Sequence, residues 1–163
     1  TQGVSSAASD VYKRQALAGV EDDYDVILID CAPSLDQLTI NGLVAAQGVI
    51  VVTHSKLWSA NGLAQLLDTI DSVRSYYNGA LRVAGIIVNQ HEENTISGKT
   101  WLDELHQAAE SRKLTVLDPP IPKRVVIADT VEAARGLDEW GSAEAAALGQ
   151  LYAHHLTCIE GAL

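Results

Sequence analysis

Asp30 is the residue whose position most clearly suggests chemistry. It closes the run DVILID (residues 25–30), and Cys31-Ala32-Pro33-Ser34 follows it directly. A carboxylate at the tip of an apolar strand can hold the hydration shell of Mg²⁺ on a bound nucleotide. It can equally cap the helix that follows, because a cap needs only a short acceptor side chain. Taken alone, the pattern leaves both roles open.

A second candidate, Ser97-Gly98-Lys99-Thr100, has the form of half a phosphate-binding loop. The complete loop needs a glycine five residues before Gly98, where its backbone N–H groups would surround the phosphates. That position is Glu93, next to Glu92, and both charges repel phosphate. The sequence therefore predicts that this segment is not a phosphate site.

The histidines, cysteines and serines give weaker signals. None of the five histidines has the spacing of a metal-ligand set, and the two cysteines are far apart without a C-x-x-C pair. Cys31 is predicted to be a small buried apolar residue. Because the chain has no G-x-S-x-G elbow, Ser34 and Ser55 have no support as nucleophiles.

The elements that must position these residues alternate along the chain. Runs that are apolar on both faces predict central strands of a parallel sheet, and three-and-four spacing predicts helices between them. The fold class that follows is α/β, with a doubly wound, mostly parallel sheet. The predicted strands are 25–30, 49–53, 83–89 and 115–117, and the predicted helices are 38–46, 63–77, 101–110 and 142–159.

Ligands of such sheets bind beyond the carboxyl ends of the strands. Four loops therefore carry the residues of interest and are expected to converge. The segment Pro119-Pro120-Ile121-Pro122, which leads into the last of these four loops, is fixed as an extended loop by its prolines. The four loops are 30–34, 53–56, 89–91 and 121–124.

Residues 24–46, YDVILIDCAPSLDQLTINGLVAA, resemble the pattern of ParA-type partition ATPases, in the ParA/MinD family of deviant Walker-A P-loop ATPases: tyrosine-aspartate, a strand, I-D-C-P-P-S-L and a helix beginning T-I-N-A-L. Ala32 replaces the first proline of the pair. The resemblance extends from residue 22 onward. It includes GLAQLLDTI (62–70), AGIIVN (84–89), IPKR (121–124) and residues 142–151.

The resemblance implies a role for each matching position. Asp30 would be the catalytic Walker B carboxylate that binds Mg²⁺ through water, and Cys31, Ala32, Pro33 and Ser34 would form the switch that senses the γ-phosphate. Asn89 would hydrogen-bond the adenine edge, for which an amide that both donates and accepts is suited. The backbone at Pro122 would lie along the adenine. As bare sequence, Asn89 could simply end a strand, and 122–124 could be a solvated turn.

The resemblance also implies cofactors and partners for the intact protein. These are ATP and Mg²⁺, a second copy in a homodimer, non-specific DNA and a ParB-like centromere-binding protein, in a cytoplasmic, nucleoid-associated setting without membrane contact. The chain has a formal charge of −10, so DNA contact needs a local basic patch or a partner. The candidate contacts are Lys99, Arg112, Lys113, Lys123 and Arg124.

The start of the chain is interpreted as foreign. Residues 5–15, SSAASDVYKRQ, resemble the translation of a transposase sequencing adaptor, so we assign 1–15 to a non-native leader and 16–163 to the C-terminal part of one ATPase domain. Without residues 1–15, the acidic and basic residues fall from 21 and 11 to 20 and 9, and the charge becomes −11. The family's K-G-G-x-G-K-T loop is absent between Ala16 and Asp30, so this chain is predicted to be inactive.

Two other functions are weighed against the partition ATPase. A non-catalytic interaction module would keep the fold and lack the phosphate loop in its native gene as well. A receiver-like signalling domain also ends a buried strand in an aspartate, but it needs an acidic pair closing an earlier strand. The acidic run 21–23 directly precedes the Asp30 strand, with no helix between, and cannot occupy that place.

Overall fold

The computed structural model describes residues 19–20, 23–32, 34, 36–54 and 59–163, without the side chains of 59–61. Within these residues helices and strands alternate, as the sequence predicts for an α/β fold. The elements are α1 (Gln37–Ala45), β1 (Gly48–His54), α2 (Ser59–Tyr76), β2 (Arg82–Asn89), α3 (Ile96–Ser111), β3 (Val116–Leu117), α4 (Val125–Glu132) and α5 (Ala143–Ala162).

The strands form one sheet in the order β1-β2-β3. β2 and β3 are parallel, with Ile86 opposite Val116 and Ile87 opposite Leu117. Gly85 lies against Leu117, whose side-chain carbons come within 3.0–3.2 Å of where a Cβ at Gly85 would be. A larger residue there would push against the neighbouring strand. The predicted α/β class with a parallel sheet is thus confirmed.

The chain divides into two compact units, and the first contains residues up to Val49 together with Ala64–Arg82. In this unit α1 begins at Asp36, whose Oδ1 accepts hydrogen bonds from the backbone N–H groups of Leu38 (3.0 Å) and Thr39 (3.2 Å). These bonds satisfy N–H groups that have no partner within the helix. The cap of this helix is therefore Asp36, and Asp30 is not needed for that role.

The other end of α1 is held by Asn78, which is only 4% exposed. Its Nδ2 lies 3.2, 3.1 and 2.8 Å from the backbone oxygens of Leu43, Val44 and Ala46. The last carbonyls of a helix lack partners within the helix. Asn78, which follows α2 in the chain, thus binds the carbonyls at the end of a different helix, α1.

α2 buries the predicted apolar stripe. Leu67, Ile70 and Val73 are buried at three-residue spacing, whereas Tyr77, just beyond the helix, is half exposed. Spacing of three places side chains on one face of a helix. The predicted stripe also includes Leu63 and Leu66, which are half-buried. It is therefore confirmed in the middle of the helix and is weaker at both ends.

The second unit contains Ile50–Leu63 and Val83–Leu163. Its sheet packs against α5, where Ala84, Leu117 and Ile159 form a buried cluster joined by Ile50 and Ile87. A second cluster joins α4 to α5 through Val126, Ala145 and Leu148. The sequence did not predict α4, because the prolines of 119–122 obscure the start of its short apolar pattern.

Two expectations for residues 25–31 are wrong. The residues from Asp25 to Asp30 form no strand, and the large apolar side chains among them are exposed, with Leu28 at 76%. Cys31 is exposed as well. An apolar run becomes a strand only when another strand pairs with its backbone, and no described strand lies beside this one.

No helix among the described residues has the length and apolarity needed to span a membrane.

Candidate functional site

Within the second unit, the ends of β1 and β2 are joined at Asn89. The Nδ1 atom of His54 lies 3.2 Å from the Asn89 backbone oxygen, so the imidazole can donate to it. The Asn89 side chain turns back on its own strand end, where its Oδ1 accepts from the N–H of Gln90 at 2.9 Å. Gln90 has a φ of 52°, which marks the sharp turn after the strand. The orientation of the Asn89 amide is therefore fixed.

The loop that carries Pro122 pairs with the turn after β2. His91 and Pro122 form an isolated parallel bridge, and His91 N–H donates to Ile121 O at 2.9 Å while Lys123 N–H donates to His91 O at 3.0 Å. Ile121 N–H also donates to Val88 O at 2.8 Å. Three of the four predicted loops thus come together, those containing Thr53, Asn89 and Pro122. Lys56, on the first of them, lies outside the described residues.

The two basic residues after Pro122 are paired with acids. The Lys123 Nζ lies 3.0 Å from Glu92 Oε1. Arg124 lies between two carboxylates, with Nη2 2.5 Å from Glu93 Oε1 and Nε 3.4 Å from Glu144 Oε1. The hydrogen bond from Arg124, with its charge, holds the pKa of Glu93 below its ordinary value. Both basic side chains of this loop are therefore engaged in ion pairs with acidic side chains.

The start of this loop is held by two histidines from different helices. His106 on α3 places its Nε2 2.8 Å from Asp118 Oδ2, and His155 on α5 places its Nε2 3.0 Å from Pro119 O. The Asp118-Pro119 peptide is cis. His155 is buried, and burial is the main reason that its pKa lies below the ordinary value. Neither contact was predicted from the sequence.

The candidate switch lies in the first unit, against the start of α1. The Thr39 hydroxyl donates to Ser34 O at 2.6 Å and lies 3.3 Å from Ala32 O, and Ser34 Oγ donates to Asp36 Oδ2 at 2.9 Å. Cys31 Sγ would be 2.8 Å from a Cβ at Gly42, so the switch passes close to the backbone of α1. Pro33 lies outside the described residues. Asp30 is exposed.

The other candidate DNA contacts lie on and after α3. Lys99 is in the first turn, Arg112 is the C-cap, and Lys113 follows with a φ of 57°. The Gly98 N–H is bound by the Thr95 side chain, which caps this helix at 3.0 Å. Ser97-Gly98-Lys99-Thr100 thus lies in the first turns of α3.

The structure adds site features that sequence reasoning missed. The pairing of Lys123 and Arg124 with Glu92 and Glu93 joins residues about thirty positions apart, so no local pattern reveals it. The only available signal was that a basic pair and an acidic pair follow two predicted strand ends.

The chain is similar in sequence to a known family model and to several known proteins. Residues 4–83 match a family model described as an AAA domain. The match begins inside segment 1–15, whose foreign origin stays a prediction. An uncharacterized protein of Mycobacterium tuberculosis is 36% identical over 134 residues, which are 82% of this chain and 41% of that protein. The chromosome-partitioning ATPase Soj of Treponema pallidum is 42% identical over 86 residues, or 53% and 34%. The chain spans less than half the length of these relatives.

A solved structure supports the fold. Cobyrinic acid a,c-diamide synthase of Mycobacterium smegmatis, with a bound ATP analog and magnesium, matches with a TM-score of 0.65 and 35% identity over 73% of this chain and 46% of that one. By the similarity of its sequence to Soj and ParA proteins, this chain belongs to the ParA-type family of partition ATPases.

Proposed function

We propose that this chain is the part of a plasmid or chromosome partition ATPase that follows the phosphate-binding loop. The whole protein binds ATP·Mg²⁺, forms a homodimer, binds DNA non-specifically and is turned over by a ParB-like centromere-binding protein. The observation that carries the proposal is the joining of the Asn89 and Pro122 loops, the two segments that the family resemblance assigns to adenine.

The residues at the adenine end fit that ligand. The Asn89 oxygen accepts from Gln90 N–H but has a second lone pair, and Nδ2 carries two hydrogens, so the amide can still donate and accept at a purine edge. Pro122 contributes an apolar ring and a backbone nitrogen without an N–H. The bridge to His91 fixes this backbone at the strand end.

The residue at the metal end also fits. Mg²⁺ usually keeps several waters and takes one or two carboxylates together with substrate phosphates. Asp30 presents one exposed carboxylate that is not used as a helix cap. When bound, ATP·Mg²⁺ supplies the γ-phosphate, which water attacks in line, with help from positioning and charge neutralisation. Cys31, Ala32, Pro33 and Ser34 are the proposed switch, and Thr39 anchors the carbonyl of Ser34 to α1.

The experiment compares the 163-residue chain with a longer version, called the restored protein, that carries the sequence encoded upstream of Ala16 in the parent gene. The 163-residue chain contains no K-G-G-x-G-K-T segment, so its ATP hydrolysis should remain at background. The restored protein should hydrolyse ATP, faster with DNA and a ParB-like partner. Asp30→Asn should lower its turnover by roughly a hundredfold or more, as expected when an electrostatic group leaves a preorganised site.

The matched control is Asp25→Asn, which removes an exposed acid from the same segment. It should leave turnover within about twofold of the parent, because surface changes away from a site have small effects. An upstream gene sequence without a phosphate loop would instead support the non-catalytic module. If the 163-residue chain hydrolyses ATP and Asp30→Asn abolishes that hydrolysis, the assignment of this chain as inactive is contradicted.

A further inference from the structure

The two ring nitrogens of His106 both face hydrogen-bond acceptors. Nδ1 lies 2.9 Å from the backbone oxygen of Leu102, one turn earlier in α3, and Nε2 lies 2.8 Å from Asp118 Oδ2. A backbone carbonyl and an ionised carboxylate accept hydrogen bonds and cannot donate them. A neutral imidazole has one N–H, so only the doubly protonated ring satisfies both contacts at once.

This cationic ring joins α3 to the first residue of segment 118–123, which contains Pro122. The next residue, Pro119, is bound from α5, where the Nε2 of His155 donates to the Pro119 backbone oxygen. The Nδ1 of His155 is buried and has no hydrogen-bond partner among the residues that the structure describes. His155 therefore donates as a neutral ring, whereas His106 donates as a cation. Of the two histidines, His106 is the one that needs a second ring proton to make both of its contacts.

We propose that His106 is a proton-dependent positioning residue for the Pro122 loop. In its doubly protonated form it joins α3 to Asp118 through a charged hydrogen bond. Loss of one proton removes the charge and leaves a single N–H for two acceptors, Leu102 O and Asp118 Oδ2, so the attachment of the loop weakens. The consequence for nucleotide binding rests on the proposed function, but the tether itself does not.

The charges around His106 act in the same direction. Burial lowers the pKa of His106, but the hydrogen bonds to Asp118 and Leu102 and the negative charges of Asp118 and Asp103 outweigh it, so the pKa lies above its ordinary value. Asp103 is on α3 and Asp118 is on the facing loop. The tether therefore stabilises the fold fully below about pH 6.5, the ordinary histidine value. Its contribution is lost as the pH rises through the raised pKa of the folded protein.

The first test follows the titration of the histidines in the 163-residue chain by ¹⁵N NMR, without nucleotide. We expect His106 to titrate above about pH 6.5, with both ring nitrogens protonated at lower pH. In Asp118→Asn the pKa of His106 should fall toward its ordinary value. The matched control, His154→Gln, removes an exposed histidine of α5 and should leave the His106 titration unchanged. Titration of His106 at or below the ordinary value would overturn the proposal.

The second test is hydrogen exchange at Asp118, Ile121 and Lys123, the residues of segment 118–123 that carry a backbone N–H. It covers the same pH range and is corrected for the intrinsic pH dependence of exchange. Protection should fall with rising pH in the parent chain and be low at every pH in His106→Gln. In His106→Lys, which keeps a cationic donor, protection should be retained with little pH dependence. A loop equally protected in all three proteins would refute the tether. Failure of ATP binding in the restored protein would leave both results standing.

Discussion

Asn89 shows how a short strand end can prepare an amide for recognition. Its backbone oxygen faces His54 and its side-chain oxygen faces the Gln90 N–H, so the conformation is set before any ligand arrives. A preorganised group loses little conformational entropy on binding. The Asn89 amide is therefore suited to select a purine by the order of its donor and acceptor.

We predict that Asn89→Ala in the restored protein weakens ATP binding about tenfold, the scale of one or two lost hydrogen bonds. It should also reduce the preference for ATP over GTP, because the amide distinguishes the two base edges. Calorimetry with non-hydrolysable analogues of both nucleotides measures this. Asn94→Ala, an exposed neighbour, serves as the control. Unchanged affinity and selectivity in Asn89→Ala would remove Asn89 from the site.

At the residue scale, the sequence indicates the candidate positions but not their partners. The placement of Asn89 and Pro122 at strand-end loops follows from apolar periodicity. The contacts of His106 with Asp118 and of Arg124 with Glu93 and Glu144 depend on tertiary folding, since no local spacing brings these residues together.

At the scale of elements, α1 is held at both ends by side chains outside it. Asp36 binds its first N–H groups and Asn78 binds its last carbonyls. Thr39, within the same helix, donates a hydrogen bond from its hydroxyl to the backbone oxygen of Ser34 in the proposed switch. The position of α1 therefore affects the proposed switch, and Asn78 fixes that position from the far end.

Replacing Asn78 by alanine should lower the free energy of unfolding by roughly 1–3 kcal/mol, because buried carbonyls lose their donor. Asn78→Asp should cost more, since it places a carboxylate against the same carbonyl oxygens. Denaturant unfolding followed by circular dichroism gives the values. Ser72→Ala, on the exposed face of α2, should change stability by no more than about 0.5 kcal/mol. Equal effects of Asn78→Ala and Ser72→Ala would contradict the proposed cap.

Element prediction succeeded where periodicity is local and failed where a neighbour decides. The α2 stripe depends only on spacing within the helix, and Leu67, Ile70 and Val73 are buried as expected. Residues 25–30 have the composition of a central strand, but a strand also needs a pairing partner. The short helix α4 was missed because prolines before it suggest an extended loop.

At the scale of the whole molecule, the charge is strongly acidic, with a formal value of −10. Lys123 and Arg124 are nevertheless directed to Glu92, Glu93 and Glu144 rather than left to solvent alone. DNA phosphates must therefore compete with carboxylates for these two cations. Long-range repulsion and local competition both oppose DNA binding.

We predict that Glu93→Gln strengthens non-specific DNA binding by the restored protein, because it frees Arg124 from one carboxylate. Arg124→Gln should weaken binding and lower the slope of log affinity against log salt by about 1. Fluorescence anisotropy over a salt series measures both. Glu132→Gln changes the net charge equally at an exposed position near the end of α4. An equal gain in this control would assign the effect to overall charge.

The α/β class could be predicted from the alternation of strand and helix patterns, and the family from ordered motifs. The division into two compact units could not be predicted, because it depends on contacts between residues far apart in the sequence. Sequence periodicity likewise does not predict how far Asp30 lies from Asn89 and Pro122.

The exposed apolar run at 25–30 has a practical consequence for making the protein. Val26, Ile27, Leu28 and Ile29 present β-branched and aliphatic side chains without a paired backbone. Segments of this composition associate with copies of themselves when their edges are open. Overexpression of this chain alone therefore carries a risk of inclusion bodies, and a solubilising fusion or co-expressed chaperone is the sensible starting point for its purification.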